Sequence, residues 1–457
     1  MKPKDVSLGF CFLPPNLNLM DYLRGVLGVA ILIGVAYLLS TYKRRIDWRL
    51  VITGIVLQII IAILVLRVPI VKSGFESIGG GFVKFLGFAL NGAQFLFGDL
   101  SRNSDAVSAN HNLGFLFAFQ ALPTVVFFSA ITSGLYYLGV LQKIVYGFAW
   151  IMAKSMRLSG AESLSAAGNI FLGQTEAPLL VKPFINKMTS SELHCLMTGG
   201  MATIAGSVMG AYISFLGGSN PEELSKFATY LLCASVMNAP AAIVMAKIFL
   251  PENEPEKIDR NIHVNKETIG VNLVDALASG AADGLKLALN IGAMLLAFIA
   301  IIASLNWILV SGIGEWTGLN EWVRLSTNNA FSGFSLEYIF GQVFRVLAFA
   351  MGVSWSESIQ VGSLLGQKMV INEFIAYKSL AGMKFSQLLS DKAIIISTYA
   401  LCGFANFSSI AIQIGGIGGL APARQGDLSR LGVKALLAAS LATMMSGTIA
   451  GALLGGS

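Results

Sequence analysis

The stretch GNIFLGQTEAPLLVKPF, residues 168–184, decides the fold, because it is mostly apolar and carries a polar cluster in its middle. Glu176 lies in that cluster, and an acidic side chain costs about 2.5–3.5 kcal/mol at the centre of a membrane-spanning helix. Pro178 and Pro183 would interrupt a continuous helix, because proline lacks the backbone N–H. The pattern therefore predicts a helical hairpin over 160–190 that enters and leaves a membrane on one side, with its polar tip at mid-depth.

A second stretch of the same kind, GSLLGQKMVINEFIAYKSL at 362–380, carries Glu373 near its middle and predicts a second hairpin over 358–387. Three apolar runs long enough to cross a bilayer separate the two hairpins. An odd number of crossings means that the hairpins enter from opposite faces. Each hairpin is followed by small residues with scattered polar ones, at 198–215 and 397–416. The matched order predicts an inverted repeat, which is typical of secondary transporters.

The composition of the 457 residues indicates a membrane protein. Apolar residues make up 55% of the chain and charged residues only 12%, whereas a soluble chain carries roughly 25% charged residues. The net charge of +6 is spread over short connectors rather than gathered in one tract. Basic connectors are expected on the cytoplasmic side of a membrane protein, so we expect no nucleic-acid partner.

Eight apolar runs are long enough to form membrane-crossing helices. They are 23–41, 50–70, 113–138, 193–216, 223–250, 287–312, 392–415 and 431–455. Three amphipathic or Trp- and Tyr-rich stretches predict helices in the membrane interface, namely 74–98, 142–156 and 313–357. The expected fold is an all-α polytopic membrane protein with about eight transmembrane helices, two inverted re-entrant hairpins and interfacial helices.

Four units are expected along the chain. Residues 1–112 would hold N-terminal scaffold helices and an interfacial helix, and 113–286 the third span, the first hairpin and the helices after it. Residues 287–357 would hold a scaffold helix and an interfacial segment, and 358–457 the second hairpin and the last two spans.

Basic residues after the first span, such as Arg44, predict that this connector faces the cytoplasm. We expect the protein to lie in the inner membrane. No small-residue cleavage site follows the N-terminal apolar patch, so we expect no removed signal peptide.

The cysteines and histidines predict neither a zinc site nor catalysis. The four cysteines lie far apart without CxxC spacing and are expected to be packing residues, and the three histidines form no HExxH motif. They are Cys11, Cys195, Cys233, Cys402, His111, His194 and His263.

Polar residues at the two tips are candidate ligand-binding groups. Gln174, Thr175 and Glu176 offer donors, acceptors and a charge in consecutive positions, and Glu373 is the counterpart in the second hairpin. An ionisable residue inside a membrane is a functional candidate by default. The alternative is that these groups form polar contacts between helices.

The run Phe404–Ser409 carries a second set of candidates. Asn406 and Ser409 are three residues apart and would share one helix face, where they could contact a sugar while an aromatic ring stacks on a base. Asn169 and Thr203 flank the first hairpin and offer the oxygen donors that Na⁺ prefers, with ordinary packing as the alternative.

Six strings in this order resemble the concentrative nucleoside transporter family, and the likeness covers residues 20–455. They are LPTVVFFSA (122–130), GQTEAPLL (173–180), TGGMATIAGSVMGAYISF (198–215), ASVMNAPAA (234–242), NEF (372–374) and ALCGFANFSSI (400–410). The resemblance implies import of nucleosides by cation symport, with Na⁺ favoured over a proton. It also implies a homotrimer in which each protomer has a scaffold domain and a transport domain that moves like an elevator across the lipid bilayer.

The resemblance further implies a role for each candidate residue. The nucleobase would be bound by Gln174, Thr175 and Glu176, with Phe404 packed against it. The ribose would be held by Glu373, Asn406 and Ser409. The Na⁺ ion would be coordinated by Asn169, Thr203 and the backbone carbonyls of Leu172 and Ile204.

Two other functions are compatible with the residues alone. One is an ion-coupled carrier of another small polar solute such as an amino acid, although a carboxylate-binding site would favour Arg or free helix N-termini over two acids. The other is an intramembrane enzyme, which would need a nucleophile with a base or a set of metal ligands.

Overall fold

The computed structural model is helical, without strands, throughout the residues that it describes, which are 19–101, 116–218, 220–262 and 270–454. The N-terminal segment discussed above lies outside these ranges, as do Cys11, His111 and His263. Cys195, Cys233 and Cys402 are buried and free, as expected for packing residues.

Six helices precede the first hairpin in the described ranges. They are α1 (Leu19–Leu38), α2 (Trp48–Arg67), α3 (Pro69–Phe97), α4 (Phe117–Gln120), α5 (Leu122–Tyr137) and α6 (Val140–Met156). The helices α1 and α2, together with the continuous pair α4 and α5, match the first three predicted crossings. The helices α3 and α6 cover the stretches predicted as amphipathic, and neither is apolar enough to count as a candidate span.

The first repeat begins with two short arms that pack together, as predicted for a hairpin over 160–190. The arms are α7 (Gly160–Gly168) and a 3₁₀ helix (Ala177–Lys187), and they are followed by α8 (Ser190–Ala202), α9 (Gly206–Gly217) and α10 (Pro221–Phe249). The second arm is 3₁₀ rather than α-helical, and it contains Pro178 and Pro183, which cannot donate to an α-helical ladder.

The second repeat has the same order of elements. It follows α11 (Leu273–Trp307), a π-helical turn (Ile308–Gly314), α12 (Glu315–Thr317), α13 (Leu319–Ser326) and α14 (Leu336–Ala350). The repeat itself comprises the hairpin arms α15 (Ser358–Val370) and α16 (Glu373–Phe385), then α17 (Asp391–Leu401), α18 (Phe407–Leu420) and α19 (Gln425–Leu454). Three candidate spans separate the two hairpins, so the odd count predicted from the sequence is confirmed.

Two predicted crossings are interrupted in the middle. The run 193–216 is split between α8 and α9, and the run 392–415 is split between α17 and α18. The first of these runs still lies within a stretch that is long and apolar enough to span a membrane (Ser190–Gly217), whereas the second does not, so the described residues contain seven such stretches instead of eight. Hydropathy averaged along a run does not reveal such a break, because the residues at the break are themselves small or apolar.

The base of the first hairpin is fixed by two capping boxes and a buried ion pair. Ser159 and Glu162 cap each other's backbone at the start of α7, and Thr189 and Glu192 do the same at the start of α8. Lys247 of α10 forms an ion pair with Glu162, and both side chains are buried. These contacts hold the ends of α7, α8 and α10 together and leave the tip of the hairpin to point into the protein.

The two repeats are interleaved rather than placed side by side. The helices α10 and α19 pack along each other and are almost wholly enclosed, and α19 also packs against α8 and α17. Gly447 allows the close approach of α19 to α17, since a Cβ there would lie 2.7 Å from the Ile396 carbonyl oxygen. In contrast, α11 packs chiefly against α5, and few of its residues are buried inside the protein.

Candidate functional site

The first tip is a loop, 169–176, between α7 and the 3₁₀ helix. Gln174 is buried, Thr175 is exposed and Glu176 is half-buried. The backbone N–H of Gly173 donates to Glu176 Oε2 at 3.2 Å. Within the described chain this is the one hydrogen bond to the Glu176 carboxylate, which can accept about four. Most of its capacity therefore remains open to a ligand.

The second tip holds its carboxylate with side chains. Asn372 caps α16 by accepting from the Ile375 N–H at 3.0 Å, and this places Glu373 in the first turn of α16. Glu373 is 2% exposed. Its Oε1 accepts from the Tyr212 hydroxyl at 3.0 Å, and its Oε2 accepts from Asn406 Nδ2 at 2.8 Å. Two neutral donors thus fix both oxygens of this carboxylate.

The break between α17 and α18 connects the two tips. Asn406 Oδ1 accepts from the Ser409 N–H at 2.9 Å and so begins α18, while its Nδ2 reaches Glu373. The Ser409 hydroxyl accepts from Gln174 Nε2 at 3.1 Å. A chain of polar contacts therefore runs from Gln174 through Ser409 and Asn406 to Glu373.

The two helix breaks also touch each other. The Phe404 N–H donates to the Thr203 carbonyl at 3.2 Å, and a Cβ on Gly403 would lie 2.8 Å from the Ala202 carbonyl oxygen. The first tip also contacts the start of α9, because the Gly206 N–H donates to the Phe171 carbonyl at 3.3 Å. Both tips and both breaks consequently meet in one region, with the half-buried Phe404 ring beside it.

Two residues of this region were missed by the reasoning from sequence. One is Tyr212, a single tyrosine in an apolar run, which nothing in the local sequence marks as a functional residue. The other is Gln413, whose Nε2 donates to the Met197 carbonyl at 3.0 Å and to Gln174 Oε1 at 3.3 Å. A carboxamide in a predicted span could have marked Gln413 as a candidate.

Four residues supply oxygens suited to a hard cation. Asn169 is 1% exposed, and neither its side-chain oxygen nor its nitrogen has a hydrogen-bond partner among the described residues. The Thr203 hydroxyl donates to the Gly199 carbonyl at 2.9 Å and keeps its lone pairs available. Leu172 and Ile204 are buried and lie outside helices, so their carbonyls are free of helical bonds. A buried unpaired carboxamide beside such oxygens fits Na⁺.

Three family models together match most of the chain. A model described as "Na+ dependent nucleoside transporter N-terminus" matches residues 27–100, and one described as "Nucleoside recognition" matches 118–219. The model described as "Na+ dependent nucleoside transporter C-terminus" matches 230–451, which includes the second hairpin and nearly all of the three helices after it, α17, α18 and α19.

Curated relatives align with nearly the whole chain. An uncharacterized transporter of Haemophilus influenzae is 42% identical over 442 residues, covering 95% of this chain and 99% of the relative. Sodium/nucleoside cotransporter 1 of Sus scrofa is 38% identical over 441 residues, covering 93% of this chain and 63% of that protein.

Solved structures share the fold. CNTnw in an inward-facing substrate-bound state superimposes with a TM-score of 0.84 at 39% identity, covering 95% of this chain and 98% of that one. A CNTnw variant in an outward-facing state gives a TM-score of 0.83 at 39% identity, again over 95% and 98% of the two chains.

Proposed function

The chain belongs to the family of Na⁺-dependent nucleoside transporters, and we propose that it imports nucleosides by symport with Na⁺. The resemblance noted in the sequence is thereby confirmed, and so is the expectation of a multi-pass membrane protein that is a transporter and not an enzyme. Na⁺ is the coupling ion of this family. The nucleoside and the coupling by Na⁺ rather than a proton are what we propose for this chain.

The polar chain from Gln174 to Glu373 is the observation that carries the proposal. It joins tips that lie about two hundred positions apart in the sequence, and it is enclosed by the most buried helices. A nucleoside has a base with donors and acceptors along one edge and a ribose with hydroxyl donors. A carboxamide can both donate to and accept from the edge of the base, and a fixed carboxylate can accept hydrogen bonds from the ribose hydroxyls.

The residue roles in our proposal follow this division. Gln174, Thr175 and Glu176 bind the nucleobase, and the Phe404 ring packs against it. Glu373, Asn406 and Ser409 hold the ribose. The half-buried Glu176 supports the first assignment because its carboxylate retains open acceptor sites. Glu373 supports the second because each of its oxygens is fixed by one donor and can still accept from a ribose hydroxyl.

Na⁺ is assigned to the oxygens of Asn169 and Thr203 and the carbonyls of Leu172 and Ile204. These residues belong to the first tip and the first helix break, which are joined by the bond between Gly206 and Phe171. A bound cation would hold the tip against the break. Because Gln174 extends from the same tip, this arrangement would couple ion binding to nucleoside binding.

The movement that we propose is an elevator. In this proposal the scaffold helices lie in 1–112 and 287–357 and the transport domain lies in 113–286 and 358–457, with α11 running across the boundary at 286/287. The interleaved packing of α8, α10, α17 and α19 supports a transport domain that moves as one body with both hairpins re-entrant in the bilayer. The exposed apolar surface of α11 supports contact with lipid or with other protomers of a homotrimer.

Uptake into proteoliposomes tests this function. Purified protein with an imposed inward Na⁺ gradient should accumulate labelled uridine, and an equal proton gradient should not replace it. Unlabelled nucleosides should compete, and amino acids should not. Competition by amino acids, or uptake driven by protons alone, would contradict the proposal.

Asn169→Ala is the matching test of the ion site. The variant removes a carboxamide oxygen from the proposed coordination shell, so the Na⁺ concentration for half-maximal uptake should rise roughly tenfold, as for the loss of about 1.4 kcal/mol of ion binding. Nucleoside selectivity should stay the same. An unchanged sodium dependence would place the ion elsewhere.

A further inference from the structure

Lys368 is a buried cation for which the proposed transport cycle has no role. It lies on α15, five positions before Glu373, and it is 3% exposed. Its Nζ donates to the Ala400 carbonyl and to the Thr443 hydroxyl, each at 2.8 Å. Both partners are neutral, and none of the ion pairs in the described part of the chain includes Lys368. Burying an ammonium is costly unless its surroundings compensate for the lost water, so this position requires an explanation.

The compensation comes from the end of a helix. Ala400 is the penultimate residue of α17, and the last carbonyls of a helix have no partners within it and carry partial negative charge. A cation is stabilising at that point. Directly after α17 comes the break that carries Phe404 and Asn406, so Lys368 holds the helix end from which these two residues extend.

The first repeat places a neutral side chain beside the corresponding helix, α8. Gly199 of α8 and Ala400 of α17 each lie ten residues after the residue that caps their helix, Thr189 and Ser390. A Cβ on Gly199 would lie 3.1 Å from Asn169 Nδ2, so the Asn169 carboxamide lies close to α8, where it has no hydrogen bond among the described residues, whereas Lys368 donates to a carbonyl of α17.

The two residues also occupy similar places in the hairpins. Asn169 follows the last residue of α7, and Lys368 lies two residues before the end of α15, so each lies near the C-terminal end of the first arm of its hairpin. The difference is chemical. Lys368 brings its own positive charge to the helix end, whereas Asn169 presents an unpartnered carboxamide.

We propose that Lys368 is a tethered cation that fills the counterpart of the Na⁺ site in the second repeat. The end of α8 is completed by a diffusible Na⁺, whereas the end of α17 is completed permanently by the ammonium group. Sodium then orders the first tip in each cycle, while the break that carries Phe404 and Asn406 stays in its binding geometry throughout. Lys368 is a positioning residue that does not touch the nucleoside. We infer this on the premise that Na⁺ binds at Asn169 and Thr203 as proposed above.

Two substitutions separate a tethered cation from a merely structural lysine. Lys368→Ala removes the charge and opens a space at the end of α17 that a second Na⁺ can enter. Lys368→Met removes the charge but fills the space. Labelled uridine binding to purified protein is measured against Na⁺ concentration, and the melting temperature is measured with and without Na⁺.

The two variants should respond differently to sodium. Lys368→Ala should need roughly tenfold more Na⁺ for half-maximal binding, as expected when about 1.4 kcal/mol is lost, and its Hill coefficient for Na⁺ should exceed that of the wild type. Saturating Na⁺ should restore its nucleoside binding and raise its melting temperature by more than the wild type's. Lys368→Met should bind nucleoside more weakly at every Na⁺ concentration, with the wild-type Hill coefficient.

Lys378→Ala is the control, because this exposed lysine lies on the second arm of the same hairpin and should leave all constants unchanged. Equal behaviour of the Ala and Met variants, or a loss of binding or stability in Lys368→Ala that Na⁺ does not reverse, would overturn the tethered cation. If wild-type binding itself showed no Na⁺ dependence, the proposed symport would fail instead.

Discussion

Glu176 and Glu373 lie at the tips of the two hairpins, and the protein holds them in different ways. Glu373 is 2% exposed and accepts from two side chains, Tyr212 of α9 and Asn406 of the break before α18. Glu176 is half-buried and accepts from one backbone N–H of its own loop. One carboxylate is therefore preorganised by tertiary contacts, and the other is left available.

The arms of the hairpins explain this difference. In the second hairpin two regular helices are joined at Ile371 and Asn372, so the tip exposes little main chain. In the first hairpin the loop 169–176 leads into a 3₁₀ arm, and its backbone groups lack regular helical partners. The first tip thus has main-chain oxygens and an open carboxylate, to which our proposal assigns the ion and the base, and the second has a rigid acceptor, to which it assigns the sugar.

Glu373→Gln should give the largest effect of the variants that test this comparison. The amide keeps the size of the side chain but loses the charge and turns one end of the group into a donor that faces the donors of Tyr212 or Asn406. We expect a loss of about 3 kcal/mol, which weakens nucleoside binding on the order of 100-fold. Equilibrium binding of labelled uridine measures it, with the melting temperature as the control for folding.

Glu176→Gln should also weaken binding, but by roughly tenfold, as expected for the loss of one charge-assisted hydrogen bond of about 1.5 kcal/mol. The remaining amide oxygen can still accept from the Gly173 N–H, so the melting temperature should not change. A larger effect than that of Glu373→Gln, in the same uridine assay, would reverse the roles that we assign to the two tips.

Ser409→Ala should remove the hydrogen bond that links the first tip to the break before α18, and through it to the second tip. The variant removes the acceptor for Gln174 Nε2 but keeps the backbone N–H that Asn406 caps. The loss of one neutral hydrogen bond, about 1 kcal/mol, should weaken uridine binding roughly fivefold. Ser214→Ala is the matched control, since that hydroxyl bonds only the Gly210 carbonyl of its own helix and its removal should leave binding unchanged.

Tyr212→Phe should have the smallest effect. It removes the hydroxyl donor to Glu373 but preserves the ring that stacks on Tyr377 at 4.5 Å between centroids. Because Asn406 still donates to Glu373, uridine binding should weaken only about threefold, a loss of roughly 0.7 kcal/mol. A loss comparable with that of Glu373→Gln would mean that Tyr212 contacts the nucleoside directly.

The sequence by itself determined the class of fold and most of the proposed site. An acidic residue inside an apolar run excludes a simple spanning helix, and this local feature located both hairpins and both acids, with two prolines as a further sign in the first hairpin. Counting crossings predicted that the hairpins enter from opposite faces. The assignment of base, ribose and Na⁺ to particular residues came from the resemblance to a family, since residue types alone also allowed a carrier of another polar solute.

Only the tertiary structure decided which distant groups meet. The bond between Gln174 and Ser409 joins residues 235 positions apart, and that between Tyr212 and Glu373 joins residues 161 apart. Such partners depend on how α8, α10, α17 and α19 pack, and no local pattern encodes that packing. The breaks at Thr203 and Phe404 were likewise hidden, because an apolar run looks the same whether its backbone is continuous or interrupted. Each break persists because the other segment supplies the hydrogen-bond partner that its own helix has lost.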